Sequence, residues 1–151
     1  SYKSTYGALY NYFVVDADKL CPTGWHVPSR DEWITLAQYL DPSFIVPSDP
    51  MECPSTAIAG FKLKETGLEH WLSPNAGATN ETGFTALPGG YRQKKGFDAI
   101  YTEMGLTGYW WSSTYFDSHD YFGIMINSRA GFVIFPNGYI WHGLSVRCVQ
   151  D

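Results

Sequence analysis

The sequence predicts one α+β domain. Three observations carry that expectation. One segment, starting at Ser29, has every mark of an amphipathic helix. The last third of the chain reads as a run of short strands dense in aromatic residues. Fifteen glycines and nine prolines in 151 residues, with only 17% charged side chains, point to short strands and many turns rather than a helical bundle. Hydrophobic residues make up 44% and aromatics 17%, which excludes disorder and suffices for a core without a structural metal.

Taken in order, Tyr6 to Val15 (YGALYNYFVV) is aromatic and β-branched and reads as an N-terminal strand. Asp16-Ala17-Asp18 and Cys21-Pro22-Thr23-Gly24 are turns, and Trp25 to Pro28 follows. Ser29 opens the helix. Its hydroxyl accepts from the backbone three residues on while Glu32 reaches back, a capping box. Trp33, Leu36, Ala37 and Leu40 then form one apolar stripe, and Asp41-Pro42 ends it because the residue before proline disfavours helix. Pro42 to Pro54 holds four prolines and Cys53 and reads as exposed loop. Ser55 to Thr66 suits a short second helix interrupted by Gly60. Gly67 to Gly83 is a polar loop carrying Trp71. Within it, Asn80-Glu81-Thr82 fits an N-glycosylation acceptor, relevant only in a eukaryotic host.

Gly83 to Arg92 reads as a strand broken by Pro88-Gly89-Gly90, and Gly96 to Leu106 as a loop. Strands are expected at Gly108–Ser113, Tyr121–Asn127, Gly131–Phe135, Tyr139–Trp141 and Ser145–Val149. Ser128-Arg129-Ala130 and Pro136-Asn137-Gly138 would be the turns, Asn-Gly being a strong hairpin signal. No repeat of 20–50 residues is visible.

Several function classes are disfavoured. A net charge of −5 without a basic cluster argues against nucleic acid and anionic membranes as partners. No apolar run approaches spanning length, so direct membrane insertion is not expected. Cys21, Cys53 and Cys148 form no CxxC pair, and His26, His70, His119 and His142 are scattered; no metal site and no cofactor are expected from that spacing. Asp117, His119 and Asp120 lie close together, but an exposed polar turn explains them more simply than catalysis does.

The candidate ligand surface is aromatic. Tyr115, Phe116, Asp117, His119, Tyr121, Phe132, Phe135, Tyr139, Trp141 and His142 mix large rings with short polar groups. Tyr and Trp supply rigid contact area at low entropy cost. Part of this set competes with a role as sheet core, Phe132, Phe135 and Trp141 above all. Trp25, Trp33, Leu36, Trp110 and Trp111 are expected to be structural; Trp110 and Trp111 alternate across a strand.

Segments spread over nearly the whole chain resemble the Fibrobacter succinogenes major paralogous domain family, common in Bacteroidetes surface proteins. They include Cys21-Pro22-Thr23-Gly24-Trp25-His26-Val27-Pro28-Ser29, Glu32-Trp33 and Leu63-Lys64-Glu65-Thr66-Gly67. Gly83 to Arg92 (GFTALPGGYR), Gly108-Tyr109-Trp110-Trp111-Ser112-Ser113-Thr114 and Ser145-Val146-Arg147-Cys148-Val149 complete the set. The resemblance implies a C-type-lectin-like fold related to formylglycine-generating enzymes, with paired terminal strands, two helices and a long loop region. It implies a disulfide between Cys21 and Cys148, leaving Cys53 free. It also implies export and display at a bacterial surface as a non-catalytic ligand-binding or adhesion module, with protein or glycan as ligand. Formylglycine generation needs a reactive cysteine pair near the end of the fold, and only Cys148 lies in that half. An enzyme of that kind and a structural module of a larger surface protein are the alternatives. The C-terminal stretch is also similar to that of diversity-generating-retroelement variable proteins, which share the Trp-Ser-Ser … Ser-Val-Arg frame. Ser73-Pro74-Asn75 lacks the acidic residue of the lectin sugar motif.

Overall fold

A computed structural model describes residues 2–17, 19–49, 51–95, 98–117 and 120–151, without the side chains of residues 94, 95 and 136–138. The architecture is α+β. Its elements are α1 (Tyr2–Tyr6), α2 (Tyr12–Asp16), β1 (Trp25–His26), α3 (Arg30–Leu40), β2 (Ser55–Thr56), α4 (Ala57–Leu63), β3 (Tyr91–Lys95), β4 (Asp98–Thr102), β5 (Thr107–Tyr115), β6 (Asp120–Asn127), β7 (Phe132–Tyr139) and β8 (Val149–Gln150). The central antiparallel sheet has the order β2-β7-β6-β5; β3 pairs with β4, and β1 with β8.

The central sheet is covered on both faces, and Trp110 and Trp111 show how. Successive strand residues point to opposite faces. Trp110 joins Phe122, Ile124, Ile126, Phe132 and Ile134 against α3 and α4, which contribute Trp33, Ala37, Leu40, Ala59 and Leu63. Trp111 joins Tyr121 on the other face with Tyr12 and Val15 of α2, Val27 and Leu144. Both tryptophans are therefore buried, at 4% and 0% exposure. Trp111 Nε1 donates to Tyr10 O (2.6 Å), so its polar tip is satisfied inside the core.

The helix at Ser29 forms as its sequence dictates. Ser29 accepts from Glu32 N, and Glu32 in turn accepts from Ser29 N, while Asp41 closes the last turn through a bond from its N–H to Ala37 O. Helix α4 is shorter than the helix expected over 55–66 and is capped by Thr56, whose hydroxyl accepts from Ala59 N. Gly60 is a packing glycine: a Cβ there would run into the backbone of Gly131 and Phe132. Asp41 links the two helices, accepting from Ser43 Oγ and N and from Thr56 Oγ1 (2.6 Å).

Several sequence expectations change, and the described residues form four helices where the resemblance implied two. The segment 6–15 is not a strand. Only Tyr10 bridges to Leu144, and Tyr12 to Asp16 turns into a short helix that buries Tyr12 and Val15. Residues 98–102, expected in a loop, form the β4 half of a hairpin with β3. Pro136-Asn137-Gly138 is not a hairpin turn: β7 runs on to Tyr139, with Gly138 opposite Tyr121 and Tyr139 opposite Asp120. The register shifts between Tyr121 and Gly123, so Pro136 and Asn137 form a bulge. Proline is tolerated there because the ladder is already interrupted. The closing strand is confined to Val149 and Gln150, paired with His26 and Trp25, and Ser145 makes only a bridge to Trp110. Trp25 is 44% exposed on this short ribbon and is not part of the core. Leu36 is half-buried and packs at the core's margin.

Cys21 and Cys148 are disulfide-bonded with Cα atoms 5.8 Å apart, and Cys53 is an exposed free cysteine. The bond sits beside the β1–β8 pair and joins residues 127 apart in sequence.

Candidate ligand surface

One end of the central sheet gathers most of the aromatic candidates. β5 leaves the sheet at Tyr115, β6 enters at Asp120 and β7 leaves at Tyr139. The register places Tyr115 and Gly138 on either side of Tyr121, and Tyr139 opposite Asp120. The turn between β5 and β6 is held by Phe116 N and Asp117 N, both donating to Asp120 O (3.1 Å), and by Asp120 N donating to Asp117 Oδ1.

Tyr115, Tyr139 and Trp141 are each 54% exposed at this end. Tyr115 packs edge-on against Tyr121 at 4.9 Å, and Tyr139 against His142 at 5.2 Å. His142 is half-buried, also touches Tyr91, and donates its backbone N–H to Tyr139 O (2.8 Å). Burial pushes the His142 pKa down, partly opposed by Asp120, so the ring is neutral at physiological pH. Asp117 is exposed beside Tyr115.

The other candidates are sorted by packing. Phe132 is fully buried under α3 and α4 and belongs to the core. Tyr121 is 8% exposed and stacks on Tyr12, so it supports Tyr115 from below and presents little surface itself. Phe135 is half-buried because its ring lies across Gly123, where any Cβ would collide with it. Phe116 is half-buried against Phe122 (5.3 Å). His119 lies outside the described residues.

One contributor escaped the sequence reading. Phe13 is 52% exposed and meets Trp141 edge-to-face at 5.1 Å. Helix α2 places it there: Tyr12 and Val15 point inward, so Phe13 and Val14 point out. A strand over 6–15 would have put Phe13 and Val15 on one face. The signal that could have found it is the Tyr12-x-x-Val15 spacing, which is helical.

Elsewhere, Glu65, Glu69 and His70 bring three donor atoms within 4.8 Å of one another, a grouping that could hold a metal ion and that histidine spacing hid. His70 Nδ1 already lies 2.9 Å from Glu65 Oε1. The patch itself offers ring faces, ring edges, hydroxyls and one carboxylate. That is the equipment of recognition by stacking and hydrogen bonding.

The fold and this surface define a small α+β domain with an aromatic patch at one sheet end. The Fibrobacter succinogenes major domain family matches residues 1–150, and the chain belongs to that family. No curated protein matches the chain. No solved structure matches it either. Among the described residues, no helix is long and apolar enough to cross a membrane.

Proposed function

We propose that this domain is a non-catalytic ligand-binding or adhesion module of C-type-lectin-like fold, displayed on a bacterial surface, and that it binds protein or glycan through the patch of Phe13, Tyr115, Tyr139 and Trp141. The observation that carries the reading is the clustering of these four rings, each more than half exposed, at one end of a sheet otherwise buried on both faces. Contiguous exposed apolar surface marks interaction sites. Support for a non-catalytic role comes from the cysteines: Cys148 is committed to the disulfide with Cys21, and Cys53 is left without a thiol partner. The disulfide suits an oxidising compartment and so supports export.

The test is capture on protein and glycan arrays by the parent and by a Tyr115→Ala, Tyr139→Ala, Trp141→Ala triple variant. Ligand captured by the parent and lost by an equally stable triple variant supports the reading. Equal capture by both removes the patch as the site, and turnover of a captured ligand removes the non-catalytic assignment. Diversification of this stretch by a retroelement has its own test: a second genomic copy that differs only between Tyr115 and His142.

A further inference from the structure

The loop that follows α4 carries the Glu65, Glu69 and His70 group, and the core holds it at both ends. Glu65 N and Trp71 Nε1 donate to the same oxygen, Ala86 O (3.2 and 3.0 Å). Trp71 and Ala86 are 1% and 0% exposed, so this anchor lies inside the molecule. Gly67 turns the loop at a φ of +79°, a left-handed conformation that glycine adopts without strain. Asn75 closes the loop from the side, its Nδ2 donating to Glu65 O (2.9 Å) and Gly67 O (2.7 Å). The backbone arc so formed turns Glu65, Glu69 and His70 towards one point.

One donor atom from each of these residues lies within 4.8 Å of the other two. His70 Nδ1 is nearly equidistant from both Glu65 oxygens, at 2.9 and 3.0 Å. A zinc ion bonded tetrahedrally to two ligands holds them roughly 3.4 Å apart. The Glu65–His70 pair therefore already stands close to that spacing. Both side chains are largely withdrawn from water, at 16% and 23% exposure, and the Tyr6 ring packs edge-to-face with His70 at 5.7 Å. Glu69 is exposed, so its side chain is free to close the remaining distance. A separate observation points the same way. Asn75 is 7% exposed, and its Oδ1 is buried without a hydrogen-bond partner among the described residues. A buried native acceptor of this kind calls for a water or an ion beside it. The amide end of the same side chain fixes it on the backbone of Glu65 and Gly67.

We propose that Glu65, Glu69 and His70 bind a divalent ion of the zinc class, with water in the remaining position. Three nitrogen and oxygen ligands with one open position are a recurrent zinc arrangement. The imidazole decides the class of ion. Calcium and magnesium take shells of oxygen ligands, whereas imidazole suits zinc and its transition-metal neighbours. The ion takes the place of the proton between His70 and Glu65, which leaves to solvent, and its charge balances the two carboxylates.

The experiment is calorimetric titration of zinc chloride into the untagged, chelator-treated full chain, with calcium chloride as the comparison. Saturable binding of one zinc ion per chain is expected, together with a shift of the His70 ring nitrogens in NMR spectra. Glu69→Gln preserves the shape of an exposed side chain, so the ion-free variant should melt like the parent. It is expected to weaken zinc binding about ten-fold or more, since even partners outside the ligand shell carry that much. His70→Gln should weaken it at least as far. His26→Gln and Cys53→Ser remove other metal-prone side chains and should leave the affinity unchanged. No saturable zinc binding, binding that survives Glu69→Gln, loss on His26→Gln or Cys53→Ser, or calcium bound as tightly as zinc would each overturn the proposal.

Discussion

At the scale of single residues, the aromatics of the C-terminal stretch divide by what lies beneath them. Trp111 and Phe132 are fully buried, so truncation leaves a cavity as well as lost contact; Trp111→Ala and Phe132→Ala should each cost about 3–5 kcal/mol in chemical denaturation. Tyr115→Ala and Tyr139→Ala should stay within about 0.5 kcal/mol of the parent, as exposed substitutions do. Similar losses at all four positions would mean that the patch is part of the core. Lys64 has the opposite problem, a charge placed in the interior. It is fully buried, with Nζ donating to Ala76 O (2.8 Å) and Asn127 O (3.3 Å) and lying above the rings of Phe61 and Trp71. Burial pushes its pKa down to about 8. The unfolded chain, titrating near 10.5, then binds more protons than the native state between these values, so stability rises with pH across that window. The full gain is on the order of 3 kcal/mol. Part of it should be visible between pH 8 and about pH 9.5, before the tyrosines are largely ionised in the unfolded chain. Burial holds Tyr12 and Tyr109 protonated in the native state, so their ionisation on unfolding lowers stability above that range. Urea midpoints measured at half-unit pH steps check this, and Lys64→Met should abolish the rise.

At the scale of elements, the terminal ribbon is clamped at one node. His26 of β1 bonds Asp151 Oδ1 through Nδ1 (2.6 Å) and Glu32 Oε1 through Nε2 (2.8 Å). Glu32 also accepts from Ser29 N and Oγ, so the capping box of α3 and the β1–β8 pair share one carboxylate. The hydrogen bonds to Asp151 and Glu32 raise the His26 pKa, which makes its stabilisation complete below the ordinary histidine range and lost as pH climbs through the raised value. Burial pushes the Glu32 carboxyl up, but Ser29 and His26 outweigh it and hold it below its ordinary value. That contribution is present above the carboxylate range and lost as pH falls through it. The node should therefore favour mildly acidic pH, and His26→Gln should flatten the decline of melting temperature between pH 6 and about pH 8. An unchanged decline would show that the exposed node contributes nothing measurable.

The same elements show what could be read in advance. The helix at Ser29 was legible to its capping residue because every signal there is local: the cap, the stripe and the proline stop fall within fourteen residues. Strands β5, β6 and the start of β7 were legible for the same reason, whereas β2, only Ser55–Thr56, was read into the helix that follows it, because two residues carry no alternation to recognise. The Asn137-Gly138 turn was misread because a local hairpin signal lost to the register with β6, which carries the chain through a bulge instead. Helix α2 was misread because Tyr, Phe and Val have strand propensity; only packing under Trp111 and Tyr121 makes it a helix. That error displaced Phe13, and with it one quarter of the four-ring patch. Phe132 and Tyr121 could not be separated from Tyr115 and Tyr139 by composition, since burial depends on which residues the helices cover.

At the scale of the whole molecule, the disulfide ties together a chain whose terminal ribbon is only two residues deep. Closing a loop across 127 residues restricts the unfolded state and should contribute about 5 kcal/mol in the chain-entropy model. Reduction by dithiothreitol should lower the denaturation midpoint accordingly while leaving the far-ultraviolet spectrum native at low denaturant. A reduced form as stable as the oxidised one would place the ribbon's stability elsewhere.

Charge at this same scale decides how the patch should behave. The molecule carries a net −5, yet the four exposed rings contribute no charge, and the neighbouring His142 is held neutral by burial. Recognition by ring contact and hydrogen bonding differs from ion pairing in its response to salt. Raising ionic strength from 0.15 M to 1 M shortens the screening length from about 8 Å to about 3 Å, which weakens exposed ion pairs but leaves apolar contact intact. Affinity of the patch for its captured ligand should therefore change by less than about three-fold over that range, whereas binding dominated by exposed charges would fall much further. Each anchor ring should meanwhile cost about 2 kcal/mol of binding on truncation to alanine, close to thirty-fold in Kd. Trp141 and Tyr115 are the two to measure first, because Tyr115 ends β5 while Trp141 lies in the turn two residues past β7 and meets Phe13, so that they sample both halves of the patch. A steep loss of affinity with salt, together with small effects at both rings, would move recognition from the aromatic surface to the acidic residues around it.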